Sequence, residues 1–168
     1  MSWTLSQLSD RRDIHDQITR YCRAMDRMDQ ALGYAVWHED GTADYGAANF
    51  VGLGREFIDH VNRQHAHLLA HSHQVTNVLI ELDGERAGSE AYCTATLQMQ
   101  RGDKRMRMLV HSRYVDRWSK RGGRWAIDHR IALMDLAEVA EVTPMPLHLK
   151  GARDPSDPSY AVLRRTDA

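Results

Sequence analysis

The sequence predicts an α+β domain in which N-terminal helices pack into a curved antiparallel sheet. Three observations carry that reading. Apolar residues recur at three- and four-residue spacing through the first third of the chain, they alternate after His71, and no proline interrupts either regime before Pro144. Helices first and a long antiparallel meander afterwards is the α+β pattern. A curved sheet wrapped around helices leaves a cone-shaped cavity, a common place for a small-molecule site.

The elements follow in order. Ile14, Ile18, Tyr21, Cys22 and Met25 share one helical face, which predicts an amphipathic helix from about Ser6 to Arg27. Asp29 is placed to cap a short second helix, "QALGYAVW", because its carboxylate can accept the orphan amides of a first turn. Gly54 precedes a third helical stretch, "REFIDHVNRQHAHLL", with Ile58, Val61, His65 and Leu68 along its inner face. "QVTNVLIEL" then alternates, with Thr76, Val78, Ile80 and Leu82 on one face and His73, Val75, Asn77 and Leu79 on the other. "DGER" reads as a hairpin turn. Three more strands are expected near "AGSEAYCTATLQMQ", "RMRMLVHSRYVDRW" and "RWAIDHRIALMDL". Residues 1–143 form one domain on this reading, and residues 144–168, which hold all four prolines, an irregular C-terminal extension.

Composition narrows the function classes. A chain of 168 residues that is 42% hydrophobic can bury a genuine core, and a formal net charge of −1 gives no global attraction to nucleic acid or to an anionic membrane. The basic runs "RGDKRMR" and "RWSKRGGR" each surround a glycine turn and read as solvated hairpin tips. Cys22 and Cys93 have no CxxC partner, so a reducing cytoplasm is the expected compartment. "MSWTLSQLSDRRD" lacks an apolar leader core, and no run is long enough to span a bilayer, so a soluble intracellular domain is expected.

"HAHLLAHSHQ" sets His65, His67, His71 and His73 close together. The helix-to-strand switch falls inside this cluster, so the four rings do not converge by spacing alone, and there is no HExxH. A metal site borrowing a distant carboxylate is the rival reading; we take the chain to use no metal and no cofactor. His65 and His67 read as structural helix residues. His73 opens a strand beside Asn77 and can exchange protons near neutral pH, or it can be a core histidine satisfied by one hydrogen bond. Asp26 sits at the margin of the first helix's apolar face, where a carboxylate either reaches water or finds a buried partner. Paired with His73, it would fix the ring's tautomer and stabilise an imidazolium. Tyr21, five residues earlier, could present its phenol to a leaving group. Arg130 shares a strand face with Ala126, Asp128, Ala132 and Met134 and could stabilise an oxyanion, unless it pairs with Asp128 or Asp26. Substrate contacts are expected from Trp37, Tyr45, Asn77, His111, Arg113 and Tyr114. Since 111 and 113 point one way and 114 the other, these three cannot all line one pocket.

"YCRAMDRMD", "HSHQVTNVLIELDGERAGSEAY" and "RYVDRWSKRGGRWAIDHR" resemble the SnoaL-like branch of the nuclear transport factor 2-like superfamily, over about residues 8–136. The resemblance implies a cone-shaped α+β barrel and a homo-oligomer, a dimer or trimer. It extends to cofactor-independent lyases of that branch: scytalone dehydratase, hexachlorocyclohexane dehydrochlorinase and bile-acid dehydratase, with diarylpropane lyases on the same scaffold. Their helix aspartate falls on Asp26, and their strand histidine, with asparagine four residues on, falls on His73. Tyr21 and Arg130 match a tyrosine and a late-strand arginine of the bile-acid enzyme, and His111 a second histidine of scytalone dehydratase. Ala43 stands where the dehydrochlorinase has a pocket tryptophan, which argues against chlorinated-cyclohexane chemistry. The resemblance thus implies a lyase acting on a hydroxylated aromatic or polycyclic small molecule. Its rivals are an isomerase or cyclase on a steroid- or polyketide-like substrate and a non-catalytic binding module.

Overall fold

The computed structural model describes residues 3–163. The first helix, α1 (Leu5–Arg27), begins where the Thr4 hydroxyl accepts the Gln7 amide and the Gln7 side chain accepts the Thr4 amide, a reciprocal capping box. It ends at Met28, whose left-handed φ of 52° lets its N–H reach back to the Ala24 and Met25 carbonyls. Ile14, Ile18, Tyr21, Cys22 and Met25 are all buried, as the helical spacing requires. Asp29 caps the second helix, α2 (Gln30–Ala35), by accepting the Leu32 amide at 3.0 Å. That helix stops before the tryptophan. Trp37 instead opens a strand, β1 (Trp37–Asp44), which turns into a short partner, β2 (Val51–Leu53). These two strands were not expected from periodicity, because β1 carries a glycine and three acidic residues in eight positions. The third helix, α3 (Gly54–His65), then buries Phe57, Ile58, Val61 and His65. It closes four residues earlier than its pattern suggested, leaving His67 and Leu68 in the turn that leads to the sheet.

Four long strands complete the chain: β3 (Ala70–Asp83), β4 (Arg86–Arg101), β5 (Lys104–Arg121) and β6 (Arg124–Glu141). Two-residue loops join them, each with glycine at positive φ (Gly84, Gly102, and Gly122 with Gly123), the backbone that tight hairpins demand. The sheet runs β2-β1-β6-β5-β4-β3. It is mixed rather than wholly antiparallel, because β1 lies parallel to β6. Nor does it close into a barrel, since β2 and β3 remain its two edges. The α1 helix lies across β3, and α3 packs on β1.

Bulges bend the long strands over the helices. On β3, Asn77 and Val78 together oppose Ala91, with Asn77 in a left-handed conformation at φ 49°. The expected alternation is therefore broken. His71, His73 and Val75 turn inward before the bulge, and Val78, Ile80 and Leu82 after it. On β6 the extra residues are Asp128 and Asp135. Asp128 is held by Ser119 and Arg121, and Asp135 by two hydrogen bonds from Arg113. The first shift lets Trp125 and Ile127 face the core at one end while Arg130 and Ala132 face inward further along.

Beyond Glu141 the chain is mostly irregular apart from a short helix, α4 (Pro158–Val162). It returns to its own domain. Arg27 donates to the Ala152 carbonyl at 2.5 Å, Tyr160 donates to Asp29 at 2.9 Å, and Arg153 donates to the His65 carbonyl at the end of α3 at 2.9 Å. Among the described residues no helix is long and apolar enough to cross a membrane.

Gly54 marks the tightest packing in the fold. A Cβ built there would stand 2.2 Å from the Trp37 indole, which is fully buried. Gly54→Ala is therefore expected to destabilise the protein by about 1–3 kcal/mol, the range for overpacking a rigid core. Urea unfolding followed by tryptophan fluorescence measures the effect, and an unchanged midpoint would contradict this packing.

Candidate active site

Between α1, α3 and the concave face of the sheet lies a cavity of about 230 Å³. Its walls form layers set by strand register. Along the sheet the lining runs from Tyr114 through Ser112 to the pair Ala95 and Val110, and then to the pair Leu97 and Met108. His73 pairs with Ala95 and so enters at the third layer.

Asp26 and His73 meet. The His73 Nδ1–H donates to Asp26 Oδ1 at 2.7 Å, and the His73 backbone N–H is shared by both carboxylate oxygens at 3.0 Å. A carboxylate accepting from Nδ1 places the ring proton there and leaves the Nε2 lone pair free. No hydrogen bond occupies Nε2 among the described residues, and His73 lines the cavity while Asp26 stands behind it. An imidazole oriented by a part-buried carboxylate thus borders a partly open, largely apolar space.

A tyrosine cluster forms the other pole. The Tyr21 and Tyr45 hydroxyls are 2.7 Å apart, Tyr114 meets Tyr21 edge to face, and Tyr45 stacks on Phe57 at 3.7 Å. Burial pushes the Tyr45 phenol up to about 12, partly opposed by Arg130, and burial lifts Tyr21 and Tyr114 well above the ordinary phenol range. These phenols remain protonated at neutral pH and can donate hydrogen bonds.

Arg130 sits behind them, wholly buried, and does not line the cavity. Its partner is neither Asp128 nor Asp26 but Asp116, bound through two hydrogen bonds of 2.7 Å. Burial works against the cation, and Asp116 more than offsets it, holding the guanidinium well above its ordinary range. The guanidinium carbon lies 4.2 Å from the Tyr21 ring and 4.1 Å from the Tyr114 ring, so its field reaches the cavity through the tyrosines.

A family model, the SnoaL-like domain, matches residues 6–131. The chain belongs to this family. Solved structures agree in fold. A hexachlorocyclohexane dehydrochlorinase from Novosphingobium barchaimii is 14% identical, with a TM-score of 0.72, over 87% of this chain and 99% of that one. A protein from Novosphingobium aromaticivorans provisionally assigned as a scytalone dehydratase is 19% identical, with a TM-score of 0.67, over 88% and 93%. A protein of unknown function from Mycobacterium tuberculosis is 25% identical, with a TM-score of 0.65, over 77% and 74%. No curated sequence matches the chain. The SnoaL-like fold is thus shared with structures named for dehydration and dehydrochlorination.

Of the residues singled out by sequence, this SnoaL-like cavity gathers His73, Tyr21, Tyr45 and Tyr114, with Asp26 and Arg130 supporting from behind. The others lie elsewhere. Trp37 is core, its indole pressed against Gly54. Asn77 is the exposed bulge residue, so it does not share the inward face of His73. His111 lies on the outer face beside Thr94, and Arg113 is tied to Asp135 and Glu90. His65, read from sequence as a structural residue on the inner face of α3, also lines the cavity, and sequence reasoning missed Gln64, Asn49 and Ser112 there. For His65 the signal was present, since Phe57, Val61 and His65 recur every four residues along α3.

The histidine cluster resolves into distinct roles. His71 donates from Nε2 to the Met25 carbonyl at 2.8 Å, leaving Nδ1 to face Arg153 at 3.4 Å. His67 is exposed. Among the described residues, no three His, Cys, Asp or Glu side chains are arranged to hold a metal ion. Burial lowers His71, and burial together with His71 and His73 drives His65 down to about 3.

Two outcomes follow. Asp116→Ala strands the Arg130 charge in the core and is expected to cost about 3–5 kcal/mol, read by chemical denaturation. His65 takes up a proton near pH 6.5 when unfolded but resists it when folded. Its contribution to stability is therefore full above pH 6.5 and lost as pH falls toward 3. Urea midpoints taken across that window should fall with pH, and less steeply in His65→Gln than in wild type.

Proposed function

We propose that this SnoaL-like protein is a cofactor-independent lyase acting on a compact hydroxylated aromatic molecule. One observation carries the reading: a carboxylate-oriented imidazole with a free Nε2 lines a small, partly open cavity whose opposite pole is built of protonated phenols. At about 230 Å³ the space lies below the usual range for drug-sized ligands, roughly 300–1,000 Å³, which favours one or two rings over a sterol.

The chemistry is an elimination. His73 Nε2 takes a proton from a carbon activated by an adjacent carbonyl or aryl ring, and the released electron pair forms the new carbon–carbon double bond. The carbon–oxygen bond breaks, and the departing hydroxide receives the proton from the imidazolium and leaves as water. Asp26 stabilises the imidazolium between these steps. The Tyr21–Tyr45 pair donates to the substrate oxygen on which charge develops, with Arg130 polarising the phenols from behind. In a deformylating variant of this chemistry the same base would remove a hydroxyl proton and a carbon–carbon bond would break to release formaldehyde, its electron pair forming a carbon–carbon double bond as a hydroxyl on the next carbon takes the proton from the imidazolium and leaves as water.

Mass spectrometry of chelator-treated protein incubated with hydroxylated aryl propanoids, diaryl propanediols and polyketide-like phenols tests the reading. Loss of water or formaldehyde supports it, and a rearranged product of unchanged mass would point to an isomerase instead. On an accepted substrate, His73→Ala should lower kcat by about 10²–10⁴-fold with the fold intact. Asp26→Asn should lower it by a similar factor through loss of the tautomer. Near-wild-type turnover by His73→Ala would overturn the assignment.

A further inference from the structure

We propose that His65 is a substrate-recognising residue, a neutral imidazole that hydrogen-bonds a second oxygen of the ligand at the end of the cavity away from the tyrosines. The inference rests on reading this cavity as the substrate site and names which substrates it selects.

His65 is only 8% exposed and lines the cavity, yet neither of its ring nitrogens has a hydrogen-bond partner among the described residues; Nδ1 is fully buried. Its neighbours are already committed. The adjacent His71 ring, 4.5 Å away, uses Nε2 on the Met25 carbonyl and Nδ1 on Arg153. The His73 ring, 5.9 Å away, uses Nδ1 on Asp26. Arg153 takes the His65 backbone carbonyl and leaves the side chain alone. Nδ1 lies out of reach of water, whereas Nε2 keeps some accessible surface and no partner among the described residues, so Nε2 is the nitrogen on which a ligand oxygen can be received.

Position says which oxygen. Phe57, Val61 and His65 follow one face of α3, and Tyr45 stacks on Phe57. Eight residues of helix separate Phe57 from His65, roughly 12 Å at the helical rise. The tyrosine phenols and His65 therefore hold opposite ends of the cavity, with the His73 ring 5.9 Å from that of His65. A ligand that satisfies both ends carries two oxygen functions across an apolar body. Because burial and its imidazole neighbours keep His65 uncharged, it can donate or accept without competing with His73 for the proton in flight. Sites built to hydrogen-bond a hydroxyl discriminate strongly against the analogue that lacks it.

Equilibrium binding of two unreactive probes, 2,6-dihydroxynaphthalene and 2-naphthol, isolates this role from turnover. Failure to find a reaction would leave the binding result standing, and the reverse also holds. Titration calorimetry should show the diol binding wild-type protein about tenfold more tightly than the mono-ol, a difference of ~1.4 kcal/mol. His65→Leu should erase that preference while holding 2-naphthol within about threefold of wild type, and His65→Gln should retain most of it. A readout on unaltered protein comes from the His65 Cε1–H resonance, assigned by its loss in His65→Gln. It should move on saturation with the diol and stay in place with the mono-ol. A preference that survives His65→Leu, equal binding of the two probes, binding of neither, or a resonance unmoved by the diol would each overturn the proposal.

Discussion

One carboxylate holds this molecule's two halves in register. Asp26, the penultimate residue of α1, accepts both the side chain and the backbone amide of His73 near the start of β3. The contact that orients the imidazole is also the one that fixes the first helix against the edge of the sheet. A buried carboxylate without such donors would pay a desolvation cost large enough to displace it toward water. The geometry of the base and the packing of helix on sheet are therefore not separable features. Small shifts of α1 along β3 would misalign the ring before they exposed any core.

Burial and pairing fix the charges around the cavity. Arg130 and Asp116 cancel each other in the interior. The three tyrosines of the cavity are kept protonated by burial, and His65 and His71 are lowered by it. What remains at the centre is a single imidazole with one nitrogen occupied and the other free. The returning C-terminal segment contributes to this arrangement, since Arg153 sets a fixed positive charge beside His71 and caps the carbonyl at the end of α3.

Much of this was legible in the sequence, and the misses have common causes. The face of α1, the Asp29 cap and the glycine hairpins are local, so spacing and residue type sufficed. The short strands Trp37–Asp44 and Val51–Leu53 were hidden because acidic residues and glycine depress any strand signal, and their pairing with β6 is a tertiary event. Asp26, His73 and Tyr21 were legible through chemistry and resemblance together, although periodicity alone says only that each could turn inward. The partner of Arg130 was sought in Asp128 or Asp26, because Asp116 lies on a neighbouring strand, invisible to spacing. Asn77 was misplaced for a subtler reason. Alternation assumes an unbroken pleat, and one left-handed residue resets the count. His65 was placed on the inner face of its helix by spacing but read as structural, because spacing does not say whether an inward ring meets core or cavity.

That reset at Asn77 has a consequence for how such a protein can change. The bulge divides β3 into two segments whose inward sets are out of phase, His71, His73 and Val75 on one side and Val78, Ile80 and Leu82 on the other. Only His73 of the first set lines the cavity, while Val75 packs with Val78, Ile80 and Leu82 in the core. The bulge therefore lets a cavity residue and core residues of opposite parity face the same side of one strand. Loss of the single extra residue would turn one of the two sets outward.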